Sequence, residues 1–215
     1  MMLSAVQEYM GRATGEANMI TLFHYPQTRS SRFIFLLEEL GAPYQIHQIA
    51  NLTAGKDPAN PHPHGKVPAI RDEDTGEVVY ESPAIALYLT DKFPKAGLGP
   101  AVGQKGRGAY LSWLAYYGSV MEPSFMSKFT NTPVPRPQAG WVEIEEAMAH
   151  VVGALSKGPY LMGEQFTAAD VLYGTTFAMF GKSPVMPQSE VIDLYVKHVT
   201  GRPALARAQA KEGTR

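Results

Sequence analysis

One pattern constrains this chain more than any other. An alternating segment, Met19 to His24 (MITLFH), and a second, Tyr44 to Ala50 (YQIHQIA), flank a segment with apolar residues at Phe33, Ile34, Leu36, Leu37 and Leu40. Alternation of period two makes a half-buried strand, and the middle spacing makes a helix. A strand joined to the next through a helix pairs with it in parallel, with a right-handed crossover. Tyr25-Pro26-Gln27-Thr28 reads as the turn out of the first strand. Ser30-Ser31-Arg32 then leads into the helix, and Gly41 is its C-terminal stop.

A polar stretch, Asn51 to Gly65, follows this βαβ unit. Lys66 to Ile70 reads as a short strand and Gly76 to Tyr80 as its hairpin partner across the turn Asp72 to Thr75. Glu81-Ser82-Pro83 opens a helix, with Ser82 as N-cap and Pro83 at the first helical position. The order βαβ–ββα is a thioredoxin-like α/β arrangement. After Pro94 to Gly103 every periodic segment is helical: Ala109–Phe125, Trp141–Ser156, Thr167–Phe180, Ser189–Thr200 and a last piece from Pro203. The expected organisation is a flexible extension over 1–18, a thioredoxin-like domain over 19–95, a linker over 96–105 and an all-helical domain over 106–215.

Composition narrows the function. A formal net charge of −1 leaves no electrostatic footprint for nucleic acid or an anionic membrane. No apolar run approaches the ~20 residues of a membrane span. The first residues lack the basic start and apolar stretch of a signal peptide, so a cytoplasmic location is expected. With no cysteine, the chain has neither disulfides nor a thiol nucleophile of its own. Any thiol chemistry must use the thiol of a bound molecule.

Four segments carry candidate chemistry. Pro68 cannot donate to a strand ladder, so Val67-Pro68 belongs at an edge or bulge. A cis bond there would turn the Val67 N–H and C=O outward to pair with an extended peptide-like ligand. On the dipeptide alone a trans proline is the commoner arrangement, since about 5–6% of X–Pro bonds are cis. A helix start at Ser82 attracts a carboxylate, and Glu81 before it suits an ammonium. Together they fit the α-end of an amino acid, though plain capping would use the same residues. The turn Thr28-Arg29-Ser30-Ser31 gathers hydroxyls at a helix N-terminus. A hydroxyl donating to a ligand sulfur favours thiolate over thiol. A free thiol has a pKa of ~8.5, and one hydrogen bond to a charged group, ~1.5–3 kcal/mol, is enough to bring it near 7. Thr167-Ala168-Ala169-Asp170 is a capping box after Phe166 and reads as a folding element. His62-Pro63-His64 lacks a third clustered ligand, so no metal site is expected. Tyr110, Trp113, Tyr116, Tyr117 and Phe125 lie on one helix, mostly as core or interface. Tyr117 and Met121, with Tyr25, are candidates for a hydrophobic substrate pocket between the domains, and Met126 and Phe129 would extend its wall.

Taken together, Gly65-Lys66-Val67-Pro68-Ala69, Glu81-Ser82-Pro83-Ala84-Ile85 and Phe166-Thr167-Ala168-Ala169-Asp170, in this order after a strand–turn–helix start, resemble the cytosolic glutathione transferases. The stretch RSSRFIFLLEELGAPY looks like bacterial members. The resemblance implies a cis-proline at Pro68. It assigns Glu81 and Ser82 to the γ-glutamyl group of glutathione, Val67 to the cysteinyl backbone, and Lys66 or His64 to the glycyl carboxylate. It departs from the family at the activating residue. No tyrosine or cysteine matches: Phe23 falls at the tyrosine position, and the serine position falls near Gln27 or Thr28. Thr28 is the first choice for thiol activation, Ser30 the second and Tyr25 an outside candidate. The implied activity is conjugation of glutathione to a hydrophobic electrophile, in a homodimer. Peroxide reduction, glutathione-dependent isomerisation and ligand binding without turnover are the alternatives on the same fold.

Overall fold

A computed structural model describes residues 18–52, 57–181, 183 and 186–213. The expected extension over 1–18 lies, except for Asn18, outside the described residues. The N-terminal domain begins with β1 (Ile20–His24), α1 (Ser31–Leu40) and β2 (Tyr44–Gln48). It continues through β3 (Ala69–Asp72) and β4 (Val78–Tyr80) to α2 (Ser82–Lys92). The sheet order is β2-β1-β3-β4, with β1 parallel to β2 and antiparallel to β3, and β3 antiparallel to β4. This is the expected thioredoxin-like arrangement. Every residue of β1 is buried, as a strand flanked on both sides and covered by helices requires.

Two boundaries differ from the sequence reading. The third strand begins at Ala69, because β1 runs out: Phe23–Ala69 is the last pair of that ladder. Val67 therefore stands beyond the ladder. The helix cap differs as well. Ser82 is already helical and buried, and Glu81 is the cap residue, at φ 70° and ψ 124°. A positive φ at a non-glycine residue is held only where the surroundings over-determine it. Here the sharp corner between β4 and α2 imposes it.

The helical domain contains α3 (Arg107–Tyr116), α4 (Glu122–Phe129), α5 (Ile144–Leu155), α6 (Ala168–Phe180), α7 (Glu190–Thr200) and α8 (Pro203–Lys211). Between α3 and α4 the chain makes a π-helical turn, Tyr117–Met121. Pro123 explains it: a proline in a continuous helix removes one N–H and clashes with the carbonyl four residues back, and a widened turn relieves both. Tyr110 and Trp113 are buried in the chain's own core. The Tyr110 hydroxyl lies 3.0 Å from Thr90 Oγ1, and Trp113 meets Tyr173 edge-on and stacks on His150. They therefore do not form the surplus apolar surface from which a subunit interface was expected.

The last helix returns to the first. Glu39 pairs with Arg202 at 2.7 Å, and Glu38 takes Arg207 at 2.8 Å and Lys211 at 2.5 Å. Burial alone would raise the Glu38 carboxyl, but its bonds from Lys211, Tyr44 and Arg207 outweigh that and hold it at about 2.

Candidate active site

The candidate site lies where the start of α1 faces the helical domain. A cavity of about 280 Å³ brings together Thr28, Lys66 and Val67, three of the residues singled out from the sequence. Arg29, Arg32, Met179 and Phe180 complete its polar and apolar walls. A second cavity of about 830 Å³ shares Gln27, Thr28, Arg32 and Met179 with it and extends under α8, along Leu205, Ala208 and Glu212. Thr28 thus faces both spaces, from the turn between β1 and α1.

The turn itself is closed by hydroxyls. Thr28 Oγ1 donates to the Tyr25 carbonyl at 2.6 Å and lies 2.8 Å from Ser30 Oγ. Ser30 is fully buried: its oxygen accepts from the Tyr25 N–H at 3.1 Å and sits 2.8 Å from Nδ1 of the buried His24. Ser30 therefore stands behind Thr28 and does not reach the cleft, which corrects its assignment as a residue in contact with a thiol. Gln27, at φ 56°, carries the chain round the turn, and its N–H donates to Glu212 Oε1 at 2.7 Å. The Ser31 hydroxyl donates to the same oxygen.

Beside the cleft a polar network runs from the half-exposed Arg29 inward to the buried Arg32 and Tyr117. Arg29 makes a two-pronged ion pair with Glu122. Its hydrogen bond to Glu122 raises the guanidinium pKa further. Burial would push Glu122 up, but the bonds from Arg29 and Tyr117 and the charges of Arg29 and Arg32 together outweigh it, and the carboxyl is lowered. Tyr117 donates to Glu122 Oε1 at 2.6 Å, lies 2.7 Å from Thr176 Oγ1 and accepts from the buried Arg32. Burial raises its phenol. Tyr117 and Met121 are at most 1% exposed, so neither lines the cleft. The π turn points them into the core, which overturns their assignment to a substrate pocket. Tyr25 is half-buried and lines neither cavity, whereas Met179 and Phe180 of α6 supply the apolar wall instead.

The Val67–Pro68 bond is cis, and Pro68 is buried beside β3. The loop before it is held by residues the sequence reading passed over. Buried Asn60 donates to the Lys66 carbonyl at 3.0 Å and accepts the His62 N–H at 3.0 Å. Buried His62 accepts the His64 N–H at 3.1 Å, lies edge-on to Tyr80 and approaches Glu81 to 4.0 Å. His62-Pro63-His64 thus serves as a brace between the Lys66–Pro68 segment and the β4–α2 corner. An asparagine amid prolines and glycines was the available sign, since such side chains hydrogen-bond their own turns. Glu81, Ser82 and His64 line neither cavity. Glu81 and His64 are exposed, and Ser82 is buried at the start of α2.

Comparisons with known proteins agree with this fold. The family model "Glutathione S-transferase, N-terminal domain" matches residues 29–92, which span α1 to α2. The chain is 26% identical to glutathione S-transferase GstA of Escherichia coli O157:H7 over 198 residues, covering 89% of this chain and 98% of that one. Among solved structures it resembles a glutathione transferase from Methylococcus capsulatus (TM-score 0.74, 25% identity, 90% of this chain and 98% of that one). It also resembles a sphingomonad glutathione S-transferase complexed with glutathione (TM-score 0.72, 27% identity, 91% and 100%). With the thioredoxin-like sheet, the cis Val67–Pro68 bond and the helical domain in place, the chain has the fold of the glutathione S-transferases and matches that family's N-terminal domain over residues 29–92.

Proposed function

We propose that this protein is a glutathione transferase that binds glutathione at the β1–α1 turn and transfers it to a hydrophobic electrophile. The observation that carries the reading is the convergence of Thr28, Lys66 and Val67 on one cavity, opposite Met179 and Phe180. Val67, beyond the last pair of its ladder, offers its backbone to the cysteinyl residue, as in strand addition. Lys66, with His64 nearby, takes the glycyl carboxylate. The free N–H groups at the start of α2 and the Glu81 carboxylate take the two charges of the γ-glutamyl end. Thr28 then faces the sulfur, and the larger cavity under α8 receives the electrophile. Such a reaction suits detoxification in the cytoplasm, and no helix among the described residues is long and apolar enough to cross a membrane. A homodimer is part of the proposal. Its interface uses Val78 and Tyr80 on the open edge strand β4, and Leu111 on α3, all exposed.

One observation favours a second reading, ligand binding without turnover. The protons of Thr28 and Ser30 already have acceptors within the turn. Calorimetric titration with glutathione, followed by conjugation to a generic aryl halide, separates the two. The transferase binds and turns over; the binding protein only binds. Glu81→Gln should weaken glutathione affinity several-fold without moving the thiol pKa. Unchanged affinity in the folded variant would remove Glu81 from the site.

A further inference from the structure

Buried His24 has no part in the reading so far, yet it ends a continuous chain of hydroxyls that starts in the cleft. Thr28 lines both cavities, and its Oγ1 lies 2.8 Å from Ser30 Oγ, which lies 2.8 Å from His24 Nδ1. His24 Nε2 is 2.9 Å from the carbonyl oxygen of Glu212. A carbonyl only accepts, so Nε2 carries the proton, and in a neutral ring Nδ1 is then an acceptor. Ser30 gives it its single proton, since that nitrogen is nearer than the alternative, the Tyr25 carbonyl at 3.2 Å. The Ser30 proton therefore points at the ring, whereas the Thr28 proton rests on the Tyr25 carbonyl at 2.6 Å and joins the chain by turning to Ser30 Oγ, 2.8 Å away.

From this contiguous chain we propose that His24 is a positioning residue that receives the thiol proton of glutathione through Thr28 and Ser30. The proposal rests on the glutathione reading above. The thiol proton passes to Thr28 Oγ1, the Thr28 proton to Ser30 Oγ, and the Ser30 proton to His24 Nδ1. One S–H bond breaks and one N–H bond forms; each hydroxyl ends as a hydroxyl, and nothing is oxidised or reduced. The Ser30–His24 bond has then reversed, and Thr28 has left the Tyr25 carbonyl. The imidazolium donates to Ser30 and to the Glu212 carbonyl, Ser30 donates to Thr28, and Thr28 donates to the thiolate. The engaged hydroxyls that favour a mere binding protein become the transfer path. The proton returns to solvent when the product departs.

The charged groups around His24 leave the ring for this role. The Glu212 carboxylate is turned to Gln27 and Ser31, and Lys211 to Glu38. On the α1 side Arg29 and Arg32 are turned to Glu122 and Tyr117. On β2, His47 lies against Phe23, and beyond it Asp57 accepts the Ala50 N–H.

The test follows the proton. In the whole protein, nitrogen NMR should show His24 as imidazolium in the complex with glutathione and as neutral imidazole in the complex with S-methylglutathione, which has no thiol proton. Calorimetry in buffers of different ionisation enthalpy should find no proton released when the wild type forms thiolate. About one proton per thiolate should be released by Ser30→Ala and His24→Asn. Both variants should also titrate the bound thiol about 1–2 units higher. If His24→Asn fails to fold, Ser30→Ala and the wild-type spectra still decide. Glutathione bound as thiolate beside a neutral His24, with equal proton release from wild type and Ser30→Ala, overturns the relay and leaves the transferase reading standing. Failure of the wild type to bind glutathione overturns both.

Discussion

Two helix starts in this molecule use the same kinds of residue to opposite ends. At α6, Thr167 and Asp170 form a closed box: Asp170 accepts the N–H of Thr167 at 2.8 Å, the Thr167 hydroxyl at 3.0 Å, the Leu161 N–H at 2.9 Å and the Tyr195 hydroxyl at 3.1 Å. All of it is buried, and burial pushes the carboxyl up to about 6. At α1, the hydroxyls of Thr28, Ser30 and Ser31 also surround a helix start, but the carboxylate that serves the turn, through Ser31 and the Gln27 N–H, is that of Glu212, 181 residues from Ser31. One face of that turn stays in the cleft. A cap completed within four residues is a folding device. A cap completed by the far end of the chain, with one hydroxyl left at a cavity, can be both a folding contact and a site.

The largest effect that would sharpen this contrast is at α6. Asp170→Ala leaves two N–H groups and the Thr167 hydroxyl without their carboxylate acceptor in a buried place, and leaves Tyr195 only the longer bond to the backbone carbonyl of residue 170. It should cost about 3–5 kcal/mol in denaturant unfolding while leaving glutathione affinity per folded molecule unchanged. A loss below about 1 kcal/mol would show that the box is replaceable and blur the comparison.

At α1, Thr28→Val should do the reverse. It keeps the shape and removes the donor, so the thiolate absorbance of the glutathione complex should titrate about 1–2 units higher, with stability changed by less than about 1.5 kcal/mol. If the titration does not move, the cleft hydroxyl is only a cap, and the two helix starts are alike.

The link between α1 and the tail gives a pH test. Glu38 is held at about 2 when folded, below the ~4.3 of an unfolded glutamate. A depressed carboxyl contributes fully above its unfolded value and loses that contribution as pH falls through its folded one. Docking of α8 should therefore weaken between about pH 4.5 and 2. Hydrogen exchange of α8 amides should accelerate in that window, and Glu38→Gln should remove the acceleration. An α8 that stays protected down to pH 2 would mean that its apolar face alone holds it.

The smallest effect concerns Glu212 itself. Glu212→Gln keeps the bonds to Gln27 and Ser31 but removes a negative charge at the start of α1. It should cost about 0.3–1 kcal/mol, less at high salt. No change at low salt would show that the remote carboxylate acts through hydrogen bonds only.

The same contrast explains what the sequence disclosed. The capping box at Thr167 and Asp170, the alternation of β1 and the helical period of α1 are local, and the segments appear where the spacing puts them. Val67 stands out as the partner of a proline in a strand and Thr28 as a hydroxyl at a helix start, Lys66 follows from the resemblance, and the fold brings the three to one cavity. What escaped depends on distant partners. Tyr117 and Met121 have pocket-like chemistry, but Pro123 forces a π turn that points them inward to Arg32 and Thr176. The exclusion of Ser30 from the cleft follows from His24 and Tyr25 closing over it. The brace of Asn60 and His62 depends on a loop conformation that has no period to read.

The return of α8 to α1 also has a consequence for how the molecule is made. Arg202 joins Glu39 across 163 residues. At roughly 5–20 residues per second, a ribosome delivers that partner about 8–30 s after the helix it covers. Through that interval the nascent first domain presents α1 without its covering helix, and Ser31 without its Glu212. The acidic pair Glu38 and Glu39 leaves that waiting surface charged until Arg202, Arg207 and Lys211 arrive to neutralise it. The first helix is thus written to wait, and the end of the chain both closes the fold and finishes the turn where the chemistry is proposed to occur.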